Sequence, residues 1–335
     1  MVLRGATLRV GTDCSGIEAP LHALRQLGVP YEHVFSSEVC PTVRKQLLAN
    51  HRPQILYEDA TTRDNTSAPY VDLYVAGWPC QGNSLLGKRR GLSDPRTRVI
   101  WSLLDYIHKQ RPTVVVLENV ANALHIDRGQ QFNSVRSSLE DAGYFVHWRT
   151  ICPKDVGVPM HRRRLYIVGV QNASEFAWPQ AQGGLTSLLD IIGPAPPDGH
   201  TVGPPIGPRG GRMPRDNWAF HSQSLRERGE KPDEPWLVNV HESLQFAHLL
   251  KGECPCLTRK SRPWIMSHGR YLTTKECARL QGFCCDQMQV CVSEAKFRAM
   301  LGNSMSVDVL KAILKAILKA IMGALVPAAE PGEVQ

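Results

Sequence analysis

The sequence predicts an α/β protein: a mostly parallel, three-layer sheet followed by a smaller, loop-rich region. Three observations predict it. Short apolar runs alternate with helical patterns from Leu8 to Val170, the alternation expected of parallel strands joined by crossover helices. Seven prolines and six glycines then fill the 23 residues from Gly193 to Arg215, a density that opposes regular structure. A strong helical pattern returns only near the end, and 335 residues suffice for two domains at roughly 100–200 residues each.

Leu8-Arg9-Val10 opens the alternation, followed by Val34-Phe35, Ile55-Leu56-Tyr57, Val71 to Val75, Val114 to Leu117, Phe145-Val146 and Leu165 to Val170 as further strands. Between them, Leu21 to Leu27, Val43 to Leu48, Val99 to His108 and Phe132 to Leu139 place apolar residues at helical spacing. From Ala173 to about residue 295 few segments sustain a period. The last element, Val307 to Met322, repeats Leu-Lys-Ala-Ile three times from Leu310 to Ile321. A four-residue repeat drifts around a 3.6-residue helix, so Lys311, Lys315 and Lys319 spiral instead of stacking. This helix is expected to pack on the α/β domain, the alternative being an amphipathic partner- or membrane-binding stretch.

Composition narrows the function classes. With 42% hydrophobic and 21% charged residues, the chain is neither a fibre nor a disordered tail. No run of about 18 apolar residues could span a bilayer, and Met1-Val2-Leu3-Arg4-Gly5 lacks the apolar core of a secretion signal. A soluble, intracellular protein is expected, nuclear in a eukaryote or cytoplasmic in a bacterium. The 10 cysteines are scattered, so reduced thiols are expected. Cys254, Cys256, Cys277, Cys284, Cys285 and Cys291, with His268, fit no standard zinc spacing and are expected to be packed thiols with no metal bound. A net charge of +8 favours an anionic partner.

Candidate site residues cluster at the carboxyl ends of the strands, where open α/β sheets bind ligands. The first strand leads into Thr12-Asp13-Cys14-Ser15-Gly16-Ile17-Glu18-Ala19-Pro20, whose turn frees backbone N–H groups. Ser15 and Glu18 have the spacing of a helix capping box. Glu38 follows the second strand at the distance where a carboxylate accepts hydrogen bonds from ribose, and Asp59 follows the third in the same way. Together these acids suggest a nucleoside-containing cofactor. The fourth strand runs into Trp78-Pro79-Cys80, a thiol followed by the basic stretch Lys88 to Arg98, which suits a phosphate-bearing substrate. Glu118-Asn119-Val120 ends the fifth strand. In the run Arg162-Arg163-Arg164, Arg162 and Arg164 would share one face of a strand.

These blocks together resemble the DNA cytosine-C5 methyltransferases. The resemblance is carried by Pro79-Cys80-Gln81, Glu118-Asn119-Val120, Arg162-x-Arg164, Arg270-Tyr271-Leu272-Thr273 through Glu276 to Arg279-Leu280-Gln281-Gly282-Phe283, and Gly302-Asn303-Ser304. They occur in family order and cover nearly the whole chain outside Ala173 to Arg262. The sequence departs from the family at Glu18-Ala19, where glycine is usual, at Met160 in place of Gln, and at Gly82-Asn83-Ser84 after the Cys-Gln pair.

The resemblance implies a Rossmann-like, S-adenosylmethionine-dependent methyltransferase sheet with a smaller target-recognition domain. The catalytic domain would span 1–172, recognition and hinge 173–295, and a segment 296–335 would complete the catalytic domain. It implies Cys80 as nucleophile toward cytosine C6, Glu118 at N3, Arg164 at O2, and Arg162 supporting the catalytic loop. S-adenosylmethionine would lie against Ser15, Gly16 and Ile17, with Glu38 on its ribose, Asp59 on adenine, and Asn303 and Ser304 completing the pocket. The partner would be double-stranded DNA, its target base flipped across a cleft toward a monomeric enzyme. From Ala173 to Arg262 ten Lys/Arg balance ten Asp/Glu, so phosphate attraction falls largely to the Lys88 to Arg98 stretch. The alternatives are a tRNA cytosine-C5 methyltransferase of the same fold and an inactive DNA-binding regulator.

Overall fold

Seven apolar runs pair into one sheet: β1 (Leu8–Asp13), β2 (Tyr31–Ser37), β3 (Ile55–Tyr57), β4 (Leu73–Gly77), β5 (Val114–Val120), β6 (Phe145–Ile151) and β7 (Arg164–Val170). The computed structural model describes residues 7–79, 99–171, 176–181, 183–194, 213–231 and 234–323. Strand order is β3-β2-β1-β4-β5-β7-β6. The five strands from β3 to β5 run parallel, with α1 (Ala19–Gln26), α2 (Pro41–Asn50) and α3 (Val99–Gln110) in their connections. After α4 (Gln130–Asp141), β6 and β7 are joined by a stretch with no helix long enough to cross a face, and β7 lies antiparallel to both neighbours. Val10, Val75, Val115, Val116, Ile167 and Val168 are buried, as central strands covered on both faces require.

The chain divides into two compact units. The first comprises Met1–Ile151, Arg164–Pro179 and Val309–Gln335, the second Cys152–Arg163 and Gln180–Asp308. The second unit holds a four-stranded antiparallel sheet of order β11-β10-β8-β9, from β8 (Trp236–Val238), β9 (Leu249–Lys251), β10 (Trp264–Ile265) and β11 (Arg270–Tyr271). Its helices are α5 (Leu188–Ile192), α6 (Met213–Glu227), α7 (Thr274–Leu280) and α8 (Glu294–Asn303). Helix α6 corrects the expectation of irregular chain as far as Arg215. Pro214 occupies its first turn, where a missing N–H removes no helical hydrogen bond.

The chain then forms α9 (Val307–Gly323). Val309, Leu310, Ile313, Leu314 and Ile317 make its buried stripe, while Lys315 and Lys319 are exposed. Leu314, Ile317 and Leu318 line one small apolar cavity with Leu8, Leu24, Leu73 and Val114, so the helix packs on the seven-stranded sheet. Among the described residues no helix is long and apolar enough to cross a membrane.

Candidate active site

The strand order changes direction between β1 and β4, which makes the carboxyl edge beside β1 the place where an open α/β sheet takes a ligand. Cys14, Gly16 and Glu18 all adopt left-handed backbone there, φ 51°, 58° and 60°. Ser15 staples the turn: its hydroxyl has the carbonyls of Thr12 (3.1 Å) and Ser37 (3.0 Å) as alternative acceptors for its one proton and accepts from the Ser37 N–H. Gly16 donates its N–H to Glu38 Oε2 at 3.0 Å, and Cys40 donates to Glu38 Oε1 at 2.9 Å. Burial raises the Glu38 carboxyl pKa, outweighing the opposite pull of these two N–H groups and of Arg44. Ile17 is buried behind the turn.

The Ser15–Glu18 capping box does not form. Glu18 is itself the N-cap of α1, and its fully buried carboxylate accepts hydrogen bonds from Thr12 Oγ1 (2.7 Å) and Ser36 Oγ (2.6 Å). Pro20 therefore falls in the first turn of α1, where it is tolerated.

Asp59 lies two residues beyond β3 and accepts at Oδ1 from the N–H and hydroxyl of Thr61, both at 2.8 Å. Burial raises the Cys14 thiol pKa, and the carboxylates of Asp13, Glu38 and Asp59 raise it further. The tips of β1, β2 and β3 thus gather Ser15, Gly16, Glu38 and Asp59 around one edge.

On the other side of β1, Gly77 of β4 pairs with Glu118 of β5. Glu118 Oε1 lies 3.3 Å from Arg164 Nε on β7, with side-chain exposures of 13% and 15%. The register explains the contact: Val120 opposes Arg164 and Glu118 opposes Tyr166, so the pair is diagonal on one face. Trp78 is buried, and Cys80 with the Lys88 to Arg98 stretch lies outside the described residues.

Arg162 does not share a strand face with Arg164, because β7 begins at Arg164 and alternation does not extend back to Arg162. Arg162 belongs to the second unit, where its buried guanidinium donates to the carbonyls of Leu257 and, at 2.6 Å, Ser304. Asn303 ends α8, exposed, with Ser304 as the C-cap. The preceding Gly302 is required sterically, since a Cβ there would lie 2.1 Å from the Thr258 carbonyl oxygen.

The family model for C-5 cytosine-specific DNA methylases matches residues 13–196 and 221–319. The chain belongs to that family. Among its relatives, the Type II methyltransferase M.NlaX of Neisseria lactamica is 29% identical over 286 residues, covering 84% of this chain and 86% of that protein. The Type II methyltransferase M.NgoBI of Neisseria gonorrhoeae is 28% identical over 288 residues, 84% of each chain. The S. pombe Dnmt2 methyltransferase shares the fold at TM-score 0.64 and 20% identity, covering 94% of this chain and 99% of that one. The Entamoeba histolytica methyltransferase EhMeth does so at TM-score 0.64 and 14% identity, covering 96% and 100%. This DNA cytosine-C5 methyltransferase therefore has the Rossmann-like sheet of S-adenosylmethionine-dependent enzymes.

For this DNA methylase the geometry also gives the later sequence blocks physical roles. Thr273 and Glu276 form a complete capping box on α7, and Arg270 donates to both Glu276 oxygens at 2.9 and 2.8 Å. Gln281 is fully buried and donates to the Leu301 carbonyl at 2.6 Å, while the Val307 N–H donates to the Gln281 carbonyl. Gly282 has φ 83°, and a Cβ there would meet Asp308 Oδ2 at 2.6 Å. The cysteines are not uniformly packed: Cys254 and Cys277 are buried, Cys256, Cys285 and Cys291 half-buried, and Cys284 exposed. Among the described residues no three His, Cys, Asp or Glu side chains are grouped to hold a metal.

Sequence reasoning missed the buried pair of Asp13 and Arg63. Its partners are 50 positions apart and carry no shared motif. The only signal was an acid at the end of a largely buried strand.

Proposed function

We propose that this enzyme methylates cytosine through a covalent adduct between Cys80 and C6 of a base flipped out of duplex DNA. Cytosine C5 is a weak carbon nucleophile, so direct methyl transfer to it is slow. Addition of the Cys80 thiolate forms the S–C6 bond and shifts the ring electrons toward N3, where Glu118 delivers a proton, leaving an enamine that is nucleophilic at C5. C5 then takes the methyl group, the electrons of the broken sulfonium C–S bond leaving with the thioether S-adenosylhomocysteine. Loss of the C5 proton to water or hydroxide, return of the N3 proton to Glu118 and cleavage of the S–C6 bond restore the aromatic ring and the thiolate. Arg164 would bind O2 of the same ring, and Arg162 would hold the backbone around the catalytic loop.

One observation supports this reading: β4 pairs in register with β5 up to Gly77 and Glu118, so the strand that ends three positions before Cys80 in the sequence ends beside a carboxylate already set against Arg164. S-adenosylmethionine, when bound, supplies an electrophilic methyl group. The residues at the β1–β3 edge fit it. Glu38 is oriented by two backbone N–H groups and suits ribose hydroxyls, and Asp59 suits an adenine amino group. Val39, beside Glu38, is 68% exposed, a large apolar side chain that a nucleobase face would cover. Backbone at Ser15, Gly16 and Ile17 would face the methionine part.

The segment 173–295 would read the target sequence and 296–335 would complete the catalytic domain begun by 1–172, all in one monomeric chain. The test is incubation with tritiated S-adenosylmethionine and either duplex DNA or tRNA, alongside trapping on 5-fluorocytosine duplex. Label in duplex and a trapped complex that Cys80→Ala abolishes are expected. Label confined to tRNA, or a DNA complex that forms without covalent trapping, would overturn the proposal.

A further inference from the structure

The end of β1 carries a second construction that the chemistry of methyl transfer does not use. Asp13, the last residue of β1, receives a two-pronged hydrogen bond from Arg63, Nη1 to Oδ1 at 2.9 Å and Nη2 to Oδ2 at 2.7 Å, with side-chain exposures of 0% and 1%. Tyr74 of β4 donates its hydroxyl to the same Oδ2 at 2.6 Å. The guanidinium carbon stands 4.9 Å from the Phe35 ring centroid, 5.0 Å from Tyr57 and 4.7 Å from Tyr106. Arg63 Nε donates to Asn65 Oδ1 at 2.8 Å, and Asn65 Nδ2 in turn donates to the Ser102 carbonyl and to Asp105 on α3.

From this node we infer that Arg63 is a positioning residue for the cofactor, fixing the loop that bears Asp59 to the turn that bears Ser15 and Gly16. Asp13 immediately precedes that turn, and Arg63 lies four residues after Asp59 on the same loop. Asp59 itself spends its Oδ1 bonds on Thr61 within its own loop. A planar guanidinium clamped at two oxygens and faced by three rings sets both the distance and the angle between the stretches, which an ammonium on a flexible stem would not. A buried charge with one partner removed is strongly destabilising, so the node holds either both strand ends or neither. Tyr74 extends it to β4, the strand leading toward Cys80, yet no member of the node reaches the Glu118–Arg164 pair in the contacts described above. Its influence therefore falls on cofactor binding before chemistry. This inference rests on the reading that Glu38 and Asp59 take the cofactor.

The test compares wild type, Arg63→Lys and Tyr74→Phe for KM toward S-adenosylmethionine, KM toward DNA, kcat, and calorimetric affinity for S-adenosylhomocysteine without DNA. Arg63→Lys is expected to raise the cofactor KM and weaken S-adenosylhomocysteine binding about tenfold or more, with kcat within about threefold and the DNA KM unchanged. Tyr74→Phe, which keeps the ion pair, is expected to move the same two quantities in the same direction by less. A merely structural role would lower the folded fraction and apparent kcat while leaving KM and S-adenosylhomocysteine affinity at wild-type values; that result in either variant overturns the inference. If Arg63→Lys does not fold, Tyr74→Phe decides alone. Wild-type enzyme that does not bind S-adenosylhomocysteine would defeat the cofactor reading itself.

Discussion

Glu118 and Arg164 meet diagonally across the β5–β7 ladder, 3.3 Å between Oε1 and Nε, on adjacent antiparallel strands whose register leaves both side chains on one face. On the proposed reading, an acid for ring nitrogen N3 and a cationic donor for ring oxygen O2 are thereby spaced by the sheet itself. Glu118→Gln keeps size and hydrogen-bonding capacity but cannot deliver a proton. Methyl transfer should fall by about 10²–10⁴-fold with the far-UV spectrum unchanged, measured by tritium incorporation into duplex DNA. Activity within twofold of wild type would remove Glu118 from the mechanism.

Cys80→Ala should abolish transfer altogether while leaving the affinity for duplex DNA intact, since a thiol contributes little to binding and everything to the adduct. Fluorescence anisotropy with a labelled duplex, run beside the tritium assay, reads both quantities. Residual turnover above background refutes the nucleophile.

Gly302→Ala should destabilise the protein by about 1–3 kcal/mol or more, because the new methyl would press on the backbone of Thr258 and Arg259 and no side chain can move aside. A fall in Tm of several degrees in differential scanning calorimetry is expected. An unchanged Tm would show that the α8 terminus is free to shift.

Stability should also decline in mild acid. His22 and His51 are buried with their Nε2 atoms 3.3 Å apart; burial lowers the first to about 4 and the second to about 2, the second helped by the neighbouring His22. Both imidazoles are neutral in the folded protein but protonate near 6.5 when unfolded. The unfolded state therefore binds more protons below that value, and stability is lost as pH falls from about 6.5 toward 4, by roughly 1.4 kcal/mol per unit for each histidine. Urea midpoints at pH 7 and pH 5 should differ, and His51→Phe should shrink the difference. Equal slopes in variant and wild type would sink this account.

The centre of the first sheet is legible because its strands there are buried: Val114-Val115-Val116-Leu117 can be little else than a covered parallel strand. The second sheet is not, because β8 to β11 contribute two or three residues each, too few to display a period of two. The capping boxes show how one local pattern has two outcomes. Thr273 and Glu276 close on each other, whereas Ser15 is claimed by the backbone of Thr12 and Ser37, and Glu18 by the hydroxyls of Thr12 and Ser36. Side chains reaching across strands outcompete neighbours in sequence, and nothing in a linear string announces it. Arg162 illustrates the same limit: its proximity to Arg164 in sequence suggested a shared face, but the strand starts too late, and its guanidinium turns to carbonyls far along the chain. Glu38 and Asp59, by contrast, could be found from their place just after strands, since the chain direction of a parallel sheet fixes which end they occupy.

Helix α9 returns from the far end of the chain to seal apolar side chains of β1, α1, β4 and β5, strands and helix that are made first. During synthesis those early surfaces stay uncovered until Val307–Gly323 has been made.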